Sequence, residues 1–137
     1  GIIARTRATR RRERAVSNLN QLVEVATLAA RTASWAMRVK NTHAKYGRLI
    51  IDVTAVAATP SVLATIRAVD KVSGKKIDIL VSVAIVGVGT TVLRVGPALT
   101  AAANVVANDF MPTDIEIDFA HADADSITYS AALELVQ

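Results

Sequence analysis

Apolar side chains recur at every second position over several stretches of the chain. Leu49, Ile51 and Val53, for example, are separated by Ile50 and Asp52. Because successive side chains of a strand point to opposite faces, this period predicts β-strands that each bury one face. The pattern covers residues 49–56, 62–69, 77–85, 91–95, 115–119 and 127–135, and turn-forming residues separate these stretches.

Two segments are ambiguous. Val16–Ala30 has apolar residues at helical spacing, yet Leu22–Leu28 fits a strand equally well. We expect a short helix or an irregular segment to about Gln21, followed by a strand. Leu99–Asn108 is rich in alanine, so a helix and a long irregular connection are both open.

Seven or eight short strands separated by turns predict an all-β fold, an antiparallel β-sandwich of jelly-roll or Ig-like type. The sandwich is expected over residues 21–137, and an extended basic N-terminal arm over residues 1–20. Hydrophobic residues make up 52% of the chain but aromatic residues only 4%, so mainly aliphatic side chains must fill the core. A chain of 137 residues is long enough to form such a core without disulfides.

Charge divides the chain into two parts. Residues 1–48 carry 11 Arg or Lys and 2 Glu, a balance of +9, whereas residues 49–137 carry 5 basic and 10 acidic residues, a balance of −5. The basic excess is densest in the arm, at Arg5, Arg7, Arg10, Arg11, Arg12 and Arg14. Such an arm suits docking on an acidic neighbouring subunit, contact with nucleic-acid phosphates, or simple solvation. No aromatic residue lies among the arginines, so base stacking is not expected.

Other candidate sites have weaker support in the sequence. The absence of cysteine excludes a disulfide framework, a thiolate zinc site and a cysteine nucleophile. His43 and His121 are too far apart in sequence to indicate a metal or general-base pair. Asp123 and Asp125 could attract calcium, but the further ligands of a calcium loop are missing, so a solvated acidic turn is favoured. We therefore predict no cofactor, no metal and no enzymatic activity.

Two further patterns favour a structural interpretation. Gly87-Val88-Gly89 begins like a dinucleotide-binding fingerprint, but Val92 stands where a third glycine is needed, so a glycine hairpin is favoured. Asp114, Glu116 and Asp118 are two residues apart and share one face of a strand. We expect a solvated outer face there, which could also meet a basic partner.

From about Arg48 to the C-terminus, the sequence resembles a group of small virion proteins of tailed bacteriophages. The resemblance covers about two thirds of the chain and lies in these strand and turn motifs: Leu49-Ile50-Ile51-Asp52-Val53-Thr54-Ala55, Thr59-Pro60-Ser61, Asp70-Lys71-Val72-Ser73-Gly74-Lys75, Gly89-Thr90-Thr91-Val92-Leu93-Arg94-Val95, Gly96-Pro97-Ala98-Leu99-Thr100, Ala107-Asn108-Asp109 and Asp123-Ala124-Asp125-Ser126-Ile127-Thr128-Tyr129-Ser130. Proteins of this group are β-sandwich components of the phage particle. The resemblance therefore implies a structural protein of the virion.

Together these features predict a capsid decoration or cement protein that holds neighbouring major-capsid subunits together. The major capsid protein would be contacted by the arginines of the arm and by Leu63, Val69 and Leu80, which we expect to face outward. A homo-oligomer is expected, a trimer by analogy with the symmetry of icosahedral shells. The expected location is the virion capsid, after synthesis in the bacterial host cytoplasm, with no secretory signal and no membrane segment. The alternatives are a neck, tail or head-fibre component, and a nucleic-acid-binding protein that contacts the genome through the arm.

Overall fold

The computed structural model describes residues 19–137, which form nine β-strands. The strands are β1 (Gln21–Arg31), β2 (Trp35–Lys40), β3 (Tyr46–Val56), β4 (Val62–Val69), β5 (Lys76–Val81), β6 (Gly89–Gly96), β7 (Val106–Asn108), β8 (Asp114–His121) and β9 (Ile127–Val136). Within these residues, no helix is long and apolar enough to cross a membrane. The six arginines predicted to form the arm lie outside the described part of the chain.

The strands form two sheets. One has five strands in the order β1-β9-β3-β6-β7, and the other has four in the order β2-β8-β4-β5. Apart from the short parallel pair of β6 and β7, all neighbouring strands are antiparallel. When β7 is set aside, the two orders are those of a jelly roll. The predicted all-β sandwich is thus confirmed, with nine strands instead of seven or eight.

The core lies between the inward faces of the two sheets. Leu49, Leu93 and Leu133 of the five-stranded sheet and Ile66 and Ile117 of the four-stranded sheet are fully buried. These residues occupy the alternate positions that the sequence pattern assigns to the buried face. The core is mainly aliphatic, as the composition predicts.

The ambiguous segments now have defined structures. Gln21–Arg31 is a strand, and Leu99–Asn108 is an irregular connection that ends in β7. Ala98 and Asn104 have φ values of 63° and 64°, which a right-handed helix does not accommodate. The hairpin predicted at Gly87-Val88-Gly89 is wrong, because β5 and β6 belong to different sheets and this segment crosses between them.

The turn at Ser73-Gly74-Lys75 joins β4 and β5 as a hairpin. Gly74 has a φ of 78°, in the left-handed region that favours glycine. The Asp70 carboxylate accepts hydrogen bonds from the Val72 N–H (2.9 Å) and from the Ser73 hydroxyl (2.8 Å). Local side-chain acceptors of this kind stabilise the turn.

The prediction that Leu80 faces outward is wrong. Leu80 is only 7% exposed and packs in the core, whereas Ile77, which the alternation places on the buried face, is 53% exposed. Ile77 pairs with Ala68 on the core side of the sheet and is exposed at the edge strand β5. A β-bulge explains the inward position of Leu80, because Ile66 pairs with Leu80 while the next residue, Arg67, pairs with Asp78. The extra residue in β5 shifts the alternation by one position.

The loops gather at the two ends of the sandwich. At one end, the Ala57 N–H donates to the carbonyl oxygen of Ser126, which joins the β3–β4 and β8–β9 loops. At the other end, the Lys45 N–H donates to the carbonyl oxygen of Val136, and the Met111 N–H donates to that of Lys45. We call this second end the terminal end, because the described chain also begins and finishes there.

Candidate interaction surface

The outer face of the four-stranded sheet carries alternating charges, which we call the charge ladder. In its central row, Arg38 of β2, Glu116 of β8, Arg67 of β4 and Asp78 of β5 lie side by side. Arg38 Nε is 3.2 Å from Glu116 Oε1, and Arg67 Nε is 2.6 Å from Asp78 Oδ1. Lys76 Nζ adds a third cation near Glu116, 3.1 Å from Oε1. Because opposite charges face each other on neighbouring strands, the ladder supports the pairing of all four strands.

A second row of the charge ladder surrounds Asp114. Lys71 Nζ lies 3.3 Å from Asp114 Oδ1, and Lys40 Nζ lies 3.9 Å from the same atom. Arg67 also reaches Asp118, at 3.6 Å. Glu116 between these carboxylates is only 4% exposed, so the solvated face predicted here is wrong for its central residue. The basic groups that meet these carboxylates belong to the chain itself.

Beyond the charge ladder, the same face of the sheet carries more apolar side chains. Leu63 of β4 pairs with Ala120 of β8, and in the adjacent row Ala36 of β2 and Val81 of β5 lie on either side of Asp118 and Thr65. We call the four apolar residues, Leu63, Ala120, Ala36 and Val81, the apolar patch. Leu63 is 40% exposed and is the largest side chain among them. Apolar side chains on an outer face are available for contact with another protein.

The remaining residues predicted to contact a partner have different positions. Val69 is half-buried and pairs with Lys76, next to the charge ladder. Leu80 belongs to the core and is not accessible to a partner. Of the three apolar residues proposed from the sequence, Leu63 is therefore the one that is openly exposed on the outer face.

A cluster of aromatic and polar side chains lies where β2, β8 and β9 meet the core. Trp35 stacks on Phe119 with ring centroids 4.8 Å apart, and its Nε1–H donates to the hydroxyl oxygen of Tyr129 at 2.8 Å. His121 Nε2 lies 3.0 Å from the same oxygen. The Tyr129 hydroxyl can therefore accept from Trp35 and donate to a neutral His121. The Arg31 guanidinium covers the Trp35 ring, 4.8 Å from its centroid.

Burial and nearby charges determine how this cluster titrates. Burial lowers the pKa of His121 below its ordinary value of 6.5; Asp123 opposes this change and the positive charge of Arg31 adds to it. Burial raises the pKa of Tyr129, so its hydroxyl stays protonated. Neutral His121 is thus the form that the folded cluster favours.

The folded protein is expected to lose stability as the pH falls from about 6.5 towards the folded pKa of His121. The reason is that the unfolded chain binds the proton at a higher pH than the folded chain does. Chemical unfolding at several pH values should show this loss for the wild type and not for His121→Gln. His43→Gln, at an exposed position, is the matched control and should show the same loss of stability as the wild type. Identical pH profiles for the wild type and His121→Gln would show that His121 does not cause the loss.

The acidic turn weighed above as a calcium site is held by its own hydrogen bonds. Asp123 Oδ1 accepts from the Asp125 N–H at 3.0 Å, and Asp125 Oδ2 accepts from the Thr59 N–H at 3.2 Å. The Asp123 carboxylate therefore closes the β8–β9 turn, and the Asp125 carboxylate ties this turn to the β3–β4 loop. Among residues 19–137, no group of three or more His, Cys, Asp or Glu side chains is placed to hold a metal ion.

A groove of about 310 Å³ opens on the outer face of the five-stranded sheet at the terminal end. Its lining residues are Tyr46, Gly47, Arg48, Arg94, Val95, Leu99, Glu134 and Val136. Arg48 and Glu134 form a two-contact ion pair at 3.0 and 3.1 Å. The Tyr46 ring lies against Gly96, where any Cβ would collide with it. Glycine at this position thus lets the ring pack on the strand and shape the groove.

Comparisons with protein-family models and with curated proteins found no match to this chain. The charge ladder, the apolar patch and the groove each combine residues that are distant in sequence. Of these features, the sequence indicated only the three carboxylates along β8 and the exposed Leu63. The cations that meet the carboxylates lie on three other strands and in the β4–β5 turn, and no local pattern predicts which of them are neighbours.

Proposed function

We propose that this chain is a structural protein of a tailed-phage particle that decorates the capsid and joins neighbouring major-capsid subunits. The observation that carries the proposal is the jelly-roll order of the strands. Viral capsid domains use this fold, as do lectins and cupins. The basic arm favours the first class, because a sugar or metal site does not require six arginines within 14 residues, whereas attachment to an acidic surface uses them.

Two parts of the chain would make the attachment. The arginines of the arm would form charge-assisted hydrogen bonds with acidic groups of the shell. The apolar patch around Leu63 would pack against an apolar surface of the same shell. The neighbouring charge ladder adds little attraction, because its carboxylates already pair with cations of the chain. Two weak contacts on one chain bind tightly because the first raises the effective concentration of the second.

Binding to empty shells of the phage that encodes the chain tests this proposal. In co-sedimentation, we expect the full chain to pellet with the shells. Deletion of residues 1–14 and the substitution Leu63→Asp should each weaken binding by about tenfold or more, and the combination should abolish it. Val72→Asp is the control, because Val72 is 98% exposed in the β4–β5 turn, away from the apolar patch.

Two outcomes would contradict the proposal. In the first, the full chain stays in the supernatant at every shell concentration. In the second, the chain pellets but both variants bind as tightly as the wild type. Imaging of labelled protein on intact particles then separates a position on the capsid from one on the neck, tail or head fibres.

Contact with the packaged genome is the second candidate function, and the density of arginine in the arm favours it. The contact would be independent of sequence, because arginine bound to phosphate does not distinguish bases. Filter binding with duplex DNA should then show micromolar affinity that is lost when residues 1–14 are deleted. Retention of the full affinity by the deletion variant would rule out the arm as the contact.

A further inference from the structure

Phe110 is an exposed aromatic side chain on a well-anchored segment. The chain has five aromatic residues, all within the described part, and Phe110 is the only one that is exposed, by 66%. Its neighbours fix its backbone, because the Phe110 N–H donates to Asp109 Oδ1 and the Asp109 N–H donates to the carbonyl oxygen of Gly96. A large apolar side chain held out in this way is typical of an anchor residue in a protein interface.

The groove at the terminal end has the size and lining to receive such a side chain. Tyr46, Leu99 and Val136 contribute apolar side chains to it. A closed cavity of about 150 Å³ with an apolar lining already binds benzene. The groove, at about 310 Å³, therefore has room for a phenylalanine ring and its neighbouring backbone.

Charge complements the fit between Phe110 and the groove. In the register of the sheet, Arg94 lies beside Arg48, whose charge is compensated by Glu134. Within residues 19–137, Arg94 forms no ion pair, and neither does Asp109 next to Phe110. The groove therefore presents an uncompensated positive charge, and the projecting segment presents an uncompensated negative one.

We propose that Phe110 of one copy of this chain inserts into the groove of a second copy, with Asp109 of the first opposite Arg94 of the second. The two features are different patches at the same end of the sandwich, because β7, which leads to Phe110, lies beside β6, which lines the groove. A contact between two different patches is heterologous, and it joins copies into a ring when the rotation between them closes and into an open filament when it does not. The contact concerns copies of this chain alone and does not depend on binding to a shell.

Sedimentation velocity over a range of protein concentrations tests the contact. The wild type should associate, and Phe110→Ser should raise the dissociation constant by about 30-fold. Asp109→Arg and Arg94→Asp should each weaken association by about tenfold, and the two together should recover part of this loss, because the charges are then exchanged across the interface while the Asp109–Phe110 hydrogen bond stays lost. Val88→Ser is the matched control, since Val88 is 67% exposed and lies in the crossover between β5 and β6.

Three outcomes would overturn the contact. In the first, the wild type stays monomeric at all concentrations. In the second, Phe110→Ser associates with the same dissociation constant as the wild type. In the third, the variant with both charge changes associates no more tightly than the variants with one. Thermal unfolding by circular dichroism checks that each variant folds, which we expect because the three side chains are exposed. Co-sedimentation of Phe110→Ser with shells separates this proposal from attachment to the capsid. A variant that no longer self-associates can still bind shells through the arm and the apolar patch, so the two proposals can fail independently.

Discussion

Replacing Phe119 with alanine is expected to lower the free energy of unfolding by about 4 kcal/mol. The Phe119 side chain is fully buried, and its ring lies 4.8 Å from that of Trp35 and 5.3 Å from that of Tyr129. The substitution removes apolar contact area, leaves a cavity between the sheets and ends the aromatic stacking. In a chain of this size, such a loss lowers the unfolding temperature by about 15 °C.

Two variants control for effects other than the cavity. Phe119→Leu keeps most of the apolar volume, so its loss of stability should be less than half that of the alanine variant. Val72→Ala removes an apolar side chain that is 98% exposed and should change the free energy of unfolding by less than about 0.5 kcal/mol. Similar unfolding temperatures for all three variants would show that Phe119 is not at the centre of the core.

Replacing Glu116 with alanine is expected to lower the free energy of unfolding by about 2 kcal/mol. Glu116 Oε1 lies within 3.2 Å of both Arg38 and Lys76, and Oε2 lies 3.7 Å from Arg67. Without the carboxylate, three cations remain close together with no common counter-charge. The expected loss is smaller than for a fully buried pair, because the Arg38 and Lys76 side chains are 55% and 47% exposed.

Asp78→Ala is the matched control for Glu116→Ala, because it also removes a carboxylate from the charge ladder, but an exposed one. Asp78 belongs to the same row of the charge ladder, but its side chain is 55% exposed and, among residues 19–137, forms an ion pair only with Arg67. Its removal should lower the free energy of unfolding by less than about 1 kcal/mol. Equal losses for the two variants in chemical unfolding would show that burial of Glu116 does not strengthen its ion pairs.

The contribution of Glu116 should also depend on pH. Burial alone would raise the pKa of Glu116, but hydrogen bonds from Lys76 and Arg38 and their positive charges outweigh it, so the pKa lies below its ordinary value of 4.5. The unfolded chain therefore binds the proton first as the pH falls. The stabilisation is present above pH 4.5 and is lost as the pH falls through the folded pKa. Glu116→Gln should lack this part of the acid dependence.

Local sequence patterns predicted the strands better than they predicted the surfaces. Leu49, Ile51 and Val53 are buried at alternate positions as expected, because that period follows from strand geometry alone. The same rule placed Leu80 on the wrong face, since the bulge opposite Ile66 and Arg67 forms only when β4 and β5 pair. The segment Gly87-Val88-Gly89 was misassigned for a related reason. The same glycine pattern in the sequence is compatible with a hairpin within one sheet and with a connection between two sheets.

The amino-acid sequence by itself determined that this chain forms strands, which face of most strands is buried, and that positive charge is concentrated at its start. The tertiary structure alone decided the jelly-roll order, the partners of Glu116, and the groove beside Arg94. The physical reason is the separation in sequence of the residues that interact. Periodicity and charge density are properties of neighbouring residues along the chain, whereas strand order and ion pairs join residues such as Arg38 and Glu116, which are 78 positions apart.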